Sequence, residues 1–528
     1  MTAAFDLIIR GGRIADGTGA EPVPGDVGVT GNRIAAVGDL AASDARDHLD
    51  AAGAIVFPGF IDAHSHADAS LPRPDVQAAY LHQGVTTVIG GQDGVSFAPS
   101  DAFAAGYADR YFRAVNGPAP ARYRGGVTVA ELLAAHDRRG AINAAYLVPA
   151  ATVRAQVVGL SPGRPAAGQL GRMVRIVEDA LGDGAVGLST GLDYVPGQFA
   201  DASELAALCA PVAAVGGVYV SHLRGYRRDR IADAIGEAAR IAAWSGAAGH
   251  VSHLHGPAGV VEAALEAVSR DPGVTLTYDS YPYLRGNTIL AMLVLPARLQ
   301  ADGIGTTLAR LNDPGVRDKL RHMWLPALGT RLHSATLSFL GHPDFQWAEG
   351  MTLLQAAGVW GRGDVADFIA AALTACDLAV GCVIDNGPDR TEEDVRQLLR
   401  RPGHMASSDA IFLGRHPHPR GWGAFARMLG RHVRDLHDWT WGEAAYHLSG
   451  HAARRFGLAG RGIVAPGQIA DLAVIDPAQV ADLATYDLPA RTAQGVRHVV
   501  VSGEVALRDG AVRGISAGRA LRRGDTSR

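Results

Sequence analysis

Two histidines separated by a single residue, directly after an apolar run, constrain this chain more than any other feature. The segment reads Phe60-Ile61-Asp62-Ala63-His64-Ser65-His66. Residues two apart on an extended strand face the same side, so both imidazoles would point to one place. That geometry suits one metal ion. A pair of surface histidines is the weaker interpretation, because the preceding residues are apolar and would be buried.

Three further polar residues come at the ends of probable strands. His222 comes after Val218-Tyr219-Val220-Ser221, and His253 follows Val251-Ser252. A lone histidine at a strand end is more often structural, but two of them together with His64 and His66 favour metal ligands. Asp409 follows another probable strand, in the segment Met405-Ala406-Ser407-Ser408-Asp409, where a carboxylate can act as general base toward a metal-bound water. A helix-capping aspartate is the alternative for Asp409.

The middle of the chain alternates short apolar runs with helical patterns, which is typical of β/α units around a parallel sheet. Thr86 to Ile89 and Ala54 to Phe57 are candidates for barrel strands, and the apolar residues between Arg230 and Trp244 fall at helical spacing. Catalytic groups of such barrels lie at the carboxyl ends of the strands, where these histidines also fall. The sequence therefore predicts an α/β protein with a TIM-like (β/α)8 barrel.

Both ends of the chain have a different texture, with short strands and glycine-containing turns. We expect residues 1–56 and 459–528 to pair into one small β domain beside a barrel of residues 57–458. Residues 286–350 break the β/α rhythm with scattered prolines and polar residues. They are predicted to form an insertion in a barrel loop.

Composition excludes several classes of partner. The formal net charge is −4 and no basic run is present, so nucleic acid and membrane surfaces are not expected partners. Residues Met1 to Arg10 lack the basic start and the apolar stretch of a signal peptide, and no apolar stretch approaches the ~20 residues of a transmembrane helix. These features predict a soluble, cytoplasmic protein that acts on a small molecule and can form oligomers. The three cysteines have no metal-site or disulfide spacing, which favours buried structural thiols.

Several longer motifs resemble the D-aminoacylases (N-acyl-D-amino-acid deacylases) of the amidohydrolase superfamily, and the resemblance runs nearly end to end. The His64–His66 element marks the superfamily, whereas two other elements are more specific to the deacylases. The matching segments are Pro58 to His66, Gly84 to Val88, Gly187 to Gly197, Tyr281-Pro282-Tyr283, His418-Pro419-Arg420 with Trp422-Gly423, Arg461-Gly462, Pro466-Gly467 and Ala470 to Leu472. The two specific elements are the Gly-Leu-Ser-Thr-Gly-Leu run and the Tyr-Pro-Tyr triplet.

The resemblance implies a role for each candidate residue. His222, His253 and a third ligand would hold one tight Zn2+. His64 and His66 would hold a weaker second metal ion or form a largely empty site. Asp409 would be the catalytic acid and base. Tyr194, Tyr283 and Arg420 would contact the substrate carboxylate or its surroundings, a role that suits a guanidinium because it grips carboxylates in bidentate fashion. For the two tyrosines, ordinary loop packing is the alternative.

The chain departs from the family pattern at two positions. Asp93 stands where the family usually has a cysteine ligand, and a carboxylate there can bridge two metal ions with a harder donor. His255 stands where the family often has a lysine, so its contact with an anion would be weaker and titratable. Lys319 is the only lysine of the chain, and its polar surroundings argue against a carbamylated lysine as the metal bridge.

The sequence thus predicts a zinc-dependent hydrolase of amide bonds, but not of the peptide bonds of proteins. The expected reaction deacylates N-acyl-D-amino acids by attack of metal-bound hydroxide, with Asp409 accepting and then donating the proton. Opening of a cyclic amide, or cleavage of an amide in a specialised metabolite, is the alternative reaction. A non-catalytic binding protein on the same barrel is disfavoured because His64, His66, His222, His253 and Asp409 occur together.

Overall fold

The computed structural model describes residues 4–525, which form 22 strands and 20 α-helices. Strands β1–β5 are Phe5–Ile14, Val23–Thr30, Arg33–Gly38, Ala45–Asp50 and Ile55–Pro58. Strands β6–β18 are Phe60–Asp62, Val85–Gly90, Ser100–Asp101, Gly126–Val127, Asn143–Pro149, Gly187–Gly191, Val218–His222, Ala248–Val251, Leu276–Ser280, Arg285–Ile289, Thr336–Leu340, Val380–Asp385 and His404–Ala406. Strands β19–β22 are Leu472–Ile475, Val496–Val501, Glu504–Arg508 and Ala511–Val512.

The two chain ends share one nine-stranded sheet, as the sequence predicts. Its order is β22-β21-β20-β19-β5-β1-β2-β3, with β4 paired to β1. Strand β5 pairs with β19, which joins the two ends of the chain. The expectation that Ala54 to Phe57 forms a barrel strand is therefore wrong. A fully buried apolar run of four residues is compatible with the terminal sheet and with the barrel, and only the strands that pair with it distinguish the two.

Eight parallel strands form the predicted barrel. Their order is β18-β14-β13-β12-β11-β10-β7-β6. Backbone contacts close the gap between the first and the last strand: Ala63 N donates to Ala406 O, and Ser65 bridges Ala410. All residues of β7 except Gly90 are buried, and so are all residues of β10, β11 and β12, as expected when helices cover the outer face of a parallel sheet.

Helices alternate with the barrel strands and cover them. Helices α1–α9 are Pro74–Leu81, Ala102–Tyr111, Arg113–Asn116, Val129–His136, Ala150–Val158, Ala167–Gly182, Ala202–Ala214, Ile231–Ser245 and Ala258–Ser269. Helices α10–α20 are Leu290–Val294, Ala297–Gln300, Ile304–Leu311, Pro314–Lys319, Thr330–Ser334, Leu353–Trp360, Val365–Ala375, Glu392–Leu399, Arg420–Arg427, Trp441–Ala445 and His451–Phe456.

Helix α8 shows how the sequence pattern produces these elements. Ile231, Ile235, Ala238 and Ile241 are buried on one face at intervals of three and four residues. Gly246 ends the helix in the left-handed region, where a residue without a side chain is least strained. Helix α8 therefore lies where the periodicity between Arg230 and Trp244 predicts it.

A long excursion separates barrel strands β14 and β18. It contains the antiparallel sheet β15-β17-β16 and helices α10–α17. Its apolar side chains, which include Phe368, Cys376 and Cys382, share one core with residues that follow other barrel strands, such as Tyr111 and Tyr194. The predicted insertion at 286–350 falls within this excursion, which continues to the start of β18 at His404.

Two further predictions concern the chain as a whole. Cys209, Cys376 and Cys382 are free and buried, in line with structural thiols. Within residues 4–525, no helix combines the length and the apolarity that crossing a bilayer requires. The cytoplasmic location stays a prediction.

Candidate metal centre

The closure of the barrel sets His64 and His66 beside Asp409. His66 N donates to Ala410 O, and Asp409 N donates to His64 O at 2.8 Å. The Nε2 atoms of His64 and His66 lie 3.3 Å apart. The Asp409 Oδ1 atom lies 3.5 Å from His66 Nε2. The first and last strands of the barrel thus deliver two imidazoles and one carboxylate to the same point.

His222 and His253 converge on the opposite side of this point. His222 ends β12, and His253 follows the neighbouring strand β13. The His222 Nδ1 atom lies 2.9 Å from His253 Nε2. The carboxyl ends of adjacent parallel strands meet at one rim, which brings the two rings together although they are far apart from the first pair in sequence.

Asp93 lies between the two histidine pairs. Its Oδ2 atom is 3.4 Å from His66 Nε2 and 3.2 Å from His222 Nδ1. Its Oδ1 atom is 3.5 Å from His64 Nε2 and 3.6 Å from His253 Nε2. Each oxygen therefore faces one member of each pair, which is the arrangement that a bridging carboxylate requires. Lys319 is exposed on α13, in the excursion, and takes no part in the centre.

Three residues of the centre have a strained backbone. Asp93, His253 and Asp409 have φ values of 55°, 33° and 48°, in a region that residues with side chains rarely adopt. The Asp93 turn also packs closely on β11, since a Cβ atom on Gly94 would lie 2.6 Å from Gly191 N. Only glycine allows this approach, so Gly94 helps to hold the Asp93 carboxylate at the centre of the site.

The electrostatic surroundings favour a positive charge at the centre. Burial alone would lower the pKa of His64, but the carboxylates of Asp93 and Asp279 outweigh it and raise that pKa to about 9. Burial alone would raise the pKa of Asp93, but the imidazoles of His222, His64 and His253 hold it well below its ordinary value. A buried carboxylate that stays ionised among imidazoles attracts a cation.

Asn116 sets the tautomer of His66. The Asn116 Nδ2 atom donates to Val95 O at 2.8 Å, so its Oδ1 atom must face His66 Nδ1, 3.0 Å away. The amide oxygen can accept a hydrogen bond from Nδ1 only when Nδ1 carries the proton. The other ring nitrogen, His66 Nε2, then keeps its lone pair, which points at the centre. Asn116 lies on helix α3, which carries no motif, so no pattern in the sequence identifies this residue.

Asp279 supports the centre from strand β14. Its Oδ1 atom accepts from the backbone N of His253 at 3.0 Å, and its Oδ2 atom lies 3.0 Å from His250 Nε2 and 3.7 Å from His64 Nδ1. Sequence reasoning missed Asp279, although its place at the end of an apolar run is the same signal that identifies His222. Outer-sphere carboxylates of this kind orient ligating imidazoles.

Asp193 contacts the far side of the His222 ring. Its Oδ1 atom lies 2.8 Å from His222 Nε2, which favours a proton on Nε2 and a lone pair on Nδ1. We expect Asp193→Ala to weaken zinc binding about 10–100-fold, the usual cost of losing such a partner. Competition with a chelator would measure this affinity. Asp193→Asn keeps a hydrogen-bond acceptor without the charge, so its zinc affinity should lie between those of the wild type and Asp193→Ala. Unchanged zinc affinity in Asp193→Ala would contradict this role.

The centre forms the floor of a cavity of about 190 Å³. Its walls come from barrel loops and from the excursion between β14 and β18. Residues that line it include His66, Asp93, Asp193, Tyr194, His222, Tyr226, Arg227, His253, His255, Tyr281, Thr288, Met292, Leu293, Arg331 and Asp409. A small molecule in this cavity would contact both the cluster of imidazoles and Asp409.

Two of the predicted substrate contacts, Tyr194 and His255, do line this cavity. The Tyr194 hydroxyl lies 3.3 Å from Thr288 Oγ1, and its ring packs against His222. His255 stacks on Tyr226, and its Nδ1 atom lies 2.9 Å from His253 O. Burial and the positive charges of Arg390 and His253 hold the pKa of His255 well below its ordinary value. His255 therefore offers a neutral polar contact here rather than a cation.

Tyr283 does not line the cavity, and its contact with the substrate stays a prediction. Its hydroxyl lies 3.4 Å from Asp482 Oδ2, and its ring lies under the guanidinium of Arg427. Tyr281 lines the cavity instead. The reason is a tight turn at Pro282, in which Tyr283 N donates to Tyr281 O and sends the two rings to different places.

Arg420 is fully buried behind the cavity wall. Its Nη1 atom lies 2.8 Å from Asp409 Oδ2, and its guanidinium lies 4.5 Å from the centre of the Tyr281 ring. Arg420 thus contacts two residues that line the cavity without lining it itself. It holds the Asp409 carboxylate from the side opposite His66.

The donor set fits a divalent metal ion. Tetrahedral zinc with bonds of about 2.0–2.1 Å places its ligand atoms roughly 3.3 Å apart. The contacts between histidine and Asp93 atoms given above span 2.9–3.6 Å, close to that spacing. Among residues 4–525, two groups have ligand atoms within 4.8 Å of one another, His64–His66–Asp409 and His64–Asp93–His253. Imidazole and carboxylate are ordinary zinc ligands, so the residues present match one or two such ions.

Comparisons with known proteins agree with this geometry. The family model described as "Amidohydrolase family" matches residues 47–311 and 338–507. An N-acyl-D-glutamate deacylase of Alcaligenes xylosoxydans xylosoxydans is 34% identical over 95% of this chain and 94% of its own length.

Two solved structures are similar over nearly the whole chain. One is a D-aminoacylase described as having a binuclear metal centre, with 32% identity, 98% and 100% coverage and a TM-score of 0.82. The other is an N-acyl-D-glutamate deacylase of Bordetella bronchiseptica, complexed with zinc and a phosphonate inhibitor that mimics the tetrahedral intermediate, with 32% identity, 98% and 99% coverage and a TM-score of 0.82. The resemblance seen in the sequence motifs is confirmed, and the chain belongs to the D-aminoacylase (N-acyl-D-amino-acid deacylase) family of the amidohydrolase superfamily.

Proposed function

We propose that this protein is a zinc-dependent hydrolase that deacylates N-acyl-D-amino acids to a carboxylate and a free D-amino acid. One observation carries the proposal: four imidazoles and the Asp93 carboxylate meet at metal-ligand spacing on the floor of a cavity, with Asp409 beside them. The names of the similar proteins support the D configuration of the substrate and the use of zinc.

His222, His253 and Asp93 would hold the tight zinc ion, and His64 and His66 would hold a second one with Asp93 as the bridge. When bound, zinc lowers the pKa of a coordinated water to about 7 and polarises the amide carbonyl. Because each oxygen of Asp93 faces one imidazole of each histidine pair, its carboxylate could serve as a ligand to both ions. We therefore expect more than one zinc ion per chain.

Asp409 would act as the acid and base of the reaction. Its Oδ1 atom faces the imidazole cluster, so it can accept a proton from the attacking water. Its Oδ2 atom lies 2.8 Å from Arg420 Nη1, and this contact fixes the direction of the carboxylate. The same carboxylic acid can then donate its proton to the departing amine.

Arg420 and Tyr194 are the proposed contacts of the substrate carboxylate and its surroundings. The guanidinium of Arg420 makes an ion pair with Asp409, and none of its three nitrogens makes a hydrogen bond among residues 4–525. It therefore retains donors for a carboxylate that approaches past Asp409 and Tyr281. His255 would add a neutral hydrogen-bonding contact from the opposite wall.

A substrate panel together with metal analysis tests the proposed function. Purified protein should contain zinc and hydrolyse N-acetyl-D-amino acids, and it should lose activity when a chelator removes the metal and regain it when zinc returns. N-acetyl-L-amino acids and cyclic amides such as hydantoins serve as comparisons. Activity on cyclic amides alone would replace the proposal by the alternative amidohydrolase reaction. Zinc-free protein without hydrolytic activity would support a binding protein on the same barrel.

A further inference from the structure

Charge is segregated inside the cavity. Its acidic groups, Asp93, Asp193 and Asp409, all lie at the floor with the imidazoles. Its two cationic lining residues are Arg227, in the loop after β12, and Arg331, on helix α14 of the excursion. A molecule that spans the cavity would therefore meet the metal centre with one part and two guanidinium groups with another.

Arg331 lacks a counterion of its own. It is half-buried, and no carboxylate within the described part of the chain lies at ion-pair distance from it. Asp389 attracts it from a distance but makes its ion pair with Arg228, at 3.3 Å. Burial and the neighbouring charge of Arg227 lower the pKa of Arg331, as expected for a guanidinium whose positive charge no nearby carboxylate balances. A bound anion would balance that charge.

Arg227 adds a second guanidinium with donors to spare. Its only ion pair in the described chain is a contact of 3.4 Å with Asp229, in which both side chains are largely exposed. Exposed pairs of this kind contribute little and exchange readily. The charge of Arg227 lowers the pKa of Arg331, and a carboxylate shared by the two guanidinium groups would offset their repulsion.

These arginines are separate from the cation that faces Asp409. Arg420 lies behind Asp409 and is the proposed partner of the α-carboxylate, whereas Arg331 comes from the excursion and lies near His255, on another wall. Met292 and Leu293 line the cavity as well and can pack on methylene groups. An aliphatic stem that ends in a negative charge matches this combination of surfaces.

We propose that Arg331 and Arg227 bind a second anionic group of the substrate, the side-chain carboxylate of an N-acyl amino acid of the aspartate or glutamate type. The inference rests on the proposed function, because it concerns the amino-acid part of an N-acyl-D-amino acid. It makes this protein selective for acidic side chains over neutral ones of the same shape. A guanidinium that loses its carboxylate partner gives up a charged hydrogen bond, which corresponds to roughly 10–100-fold in affinity.

The test compares N-acetyl-D-glutamate with N-acetyl-D-glutamine, which has the same shape without the side-chain charge. Wild-type protein should show a kcat/KM about 10–100-fold higher for the glutamate substrate. Arg331→Gln and Arg227→Gln should lower that ratio, Arg331→Gln by about tenfold or more, with little change for the glutamine substrate. Arg362→Gln, an exposed arginine of the same excursion that does not line the cavity, should leave the ratio unchanged.

Each other outcome has a definite meaning. An equal loss on both substrates in Arg331→Gln overturns the inference, because it assigns Arg331 to the α-carboxylate or to the structure of the excursion. Equal kcat/KM values in the wild type, or hydrolysis only of neutral N-acetyl-D-amino acids, overturn the inference and leave the proposed function standing. Failure to hydrolyse any N-acyl-D-amino acid, with zinc present, overturns the proposed function and the inference together.

Discussion

Replacing Asp409 by asparagine should lower kcat by about 10²–10⁴-fold, the range that a positioned acid and base contributes. The amide cannot accept the proton of the attacking water or return it to the amine. It keeps the shape of the carboxylate and an oxygen that can face Arg420, so the backbone contacts between Asp409 and His64 should persist. Zinc content should therefore change little.

The measurement combines kcat with zinc per chain and with the thermal midpoint of unfolding. Asp344→Asn is a matched control, since Asp344 is an exposed aspartate whose side chain is 82% accessible and which lies outside the cavity. Near-normal kcat in Asp409→Asn would disprove the acid and base role. Loss of zinc in parallel with activity would instead make Asp409 a metal ligand, which its distance of 3.5 Å from His66 also allows.

Replacing Asp93 by alanine should remove the central ligand and abolish most of the metal binding. Four imidazoles would then face one another without the carboxylate that lies 3.2–3.6 Å from each of them. We expect zinc affinity to fall by at least ~100-fold, because the loss of an outer-sphere partner alone costs about 10–100-fold. Hydrolysis should be lost in the same proportion.

Zinc per chain after dialysis, and competition with a chelator, measure this effect directly. Asp93→Cys is an informative companion, because a thiolate is also a zinc ligand and should restore binding at the tight site. If the carboxylate is what supports the second ion, Asp93→Cys should hold fewer zinc ions than the wild type. Retention of full zinc content and activity in Asp93→Ala would show that Asp93 is not a ligand.

Local pattern was sufficient for the histidines. Each of His64, His222 and His253 follows an apolar run, and the carboxyl ends of parallel barrel strands share one rim whatever the loops do. The same rule reaches Asp279, which lies at the end of β14 and was overlooked. In a parallel barrel, residues that end different strands lie around the same rim, and for this reason the metal centre was predictable.

The pairing of short apolar runs was not predictable. Ile55 to Pro58 belongs to the terminal sheet, although its composition suits a barrel strand equally well. The position of the two rings in the Tyr-Pro-Tyr triplet was not predictable either, since the turn at Pro282 directs Tyr281, and not Tyr283, to the cavity. Strand pairing depends on segments that are distant in sequence.

The sequence by itself determined the fold class, the terminal β domain and the identity of the imidazoles, because these follow from periodicity and from where strands end. Only the tertiary structure decided that Asp93 lies between the two histidine pairs, that Arg420 holds Asp409, and that Arg331 reaches the cavity from the excursion. The physical reason is the same in each case. These contacts join residues from separate loops and helices, whose relative positions are set by close packing and, at Asp93 and Asp409, by strained backbone rather than by a repeating pattern.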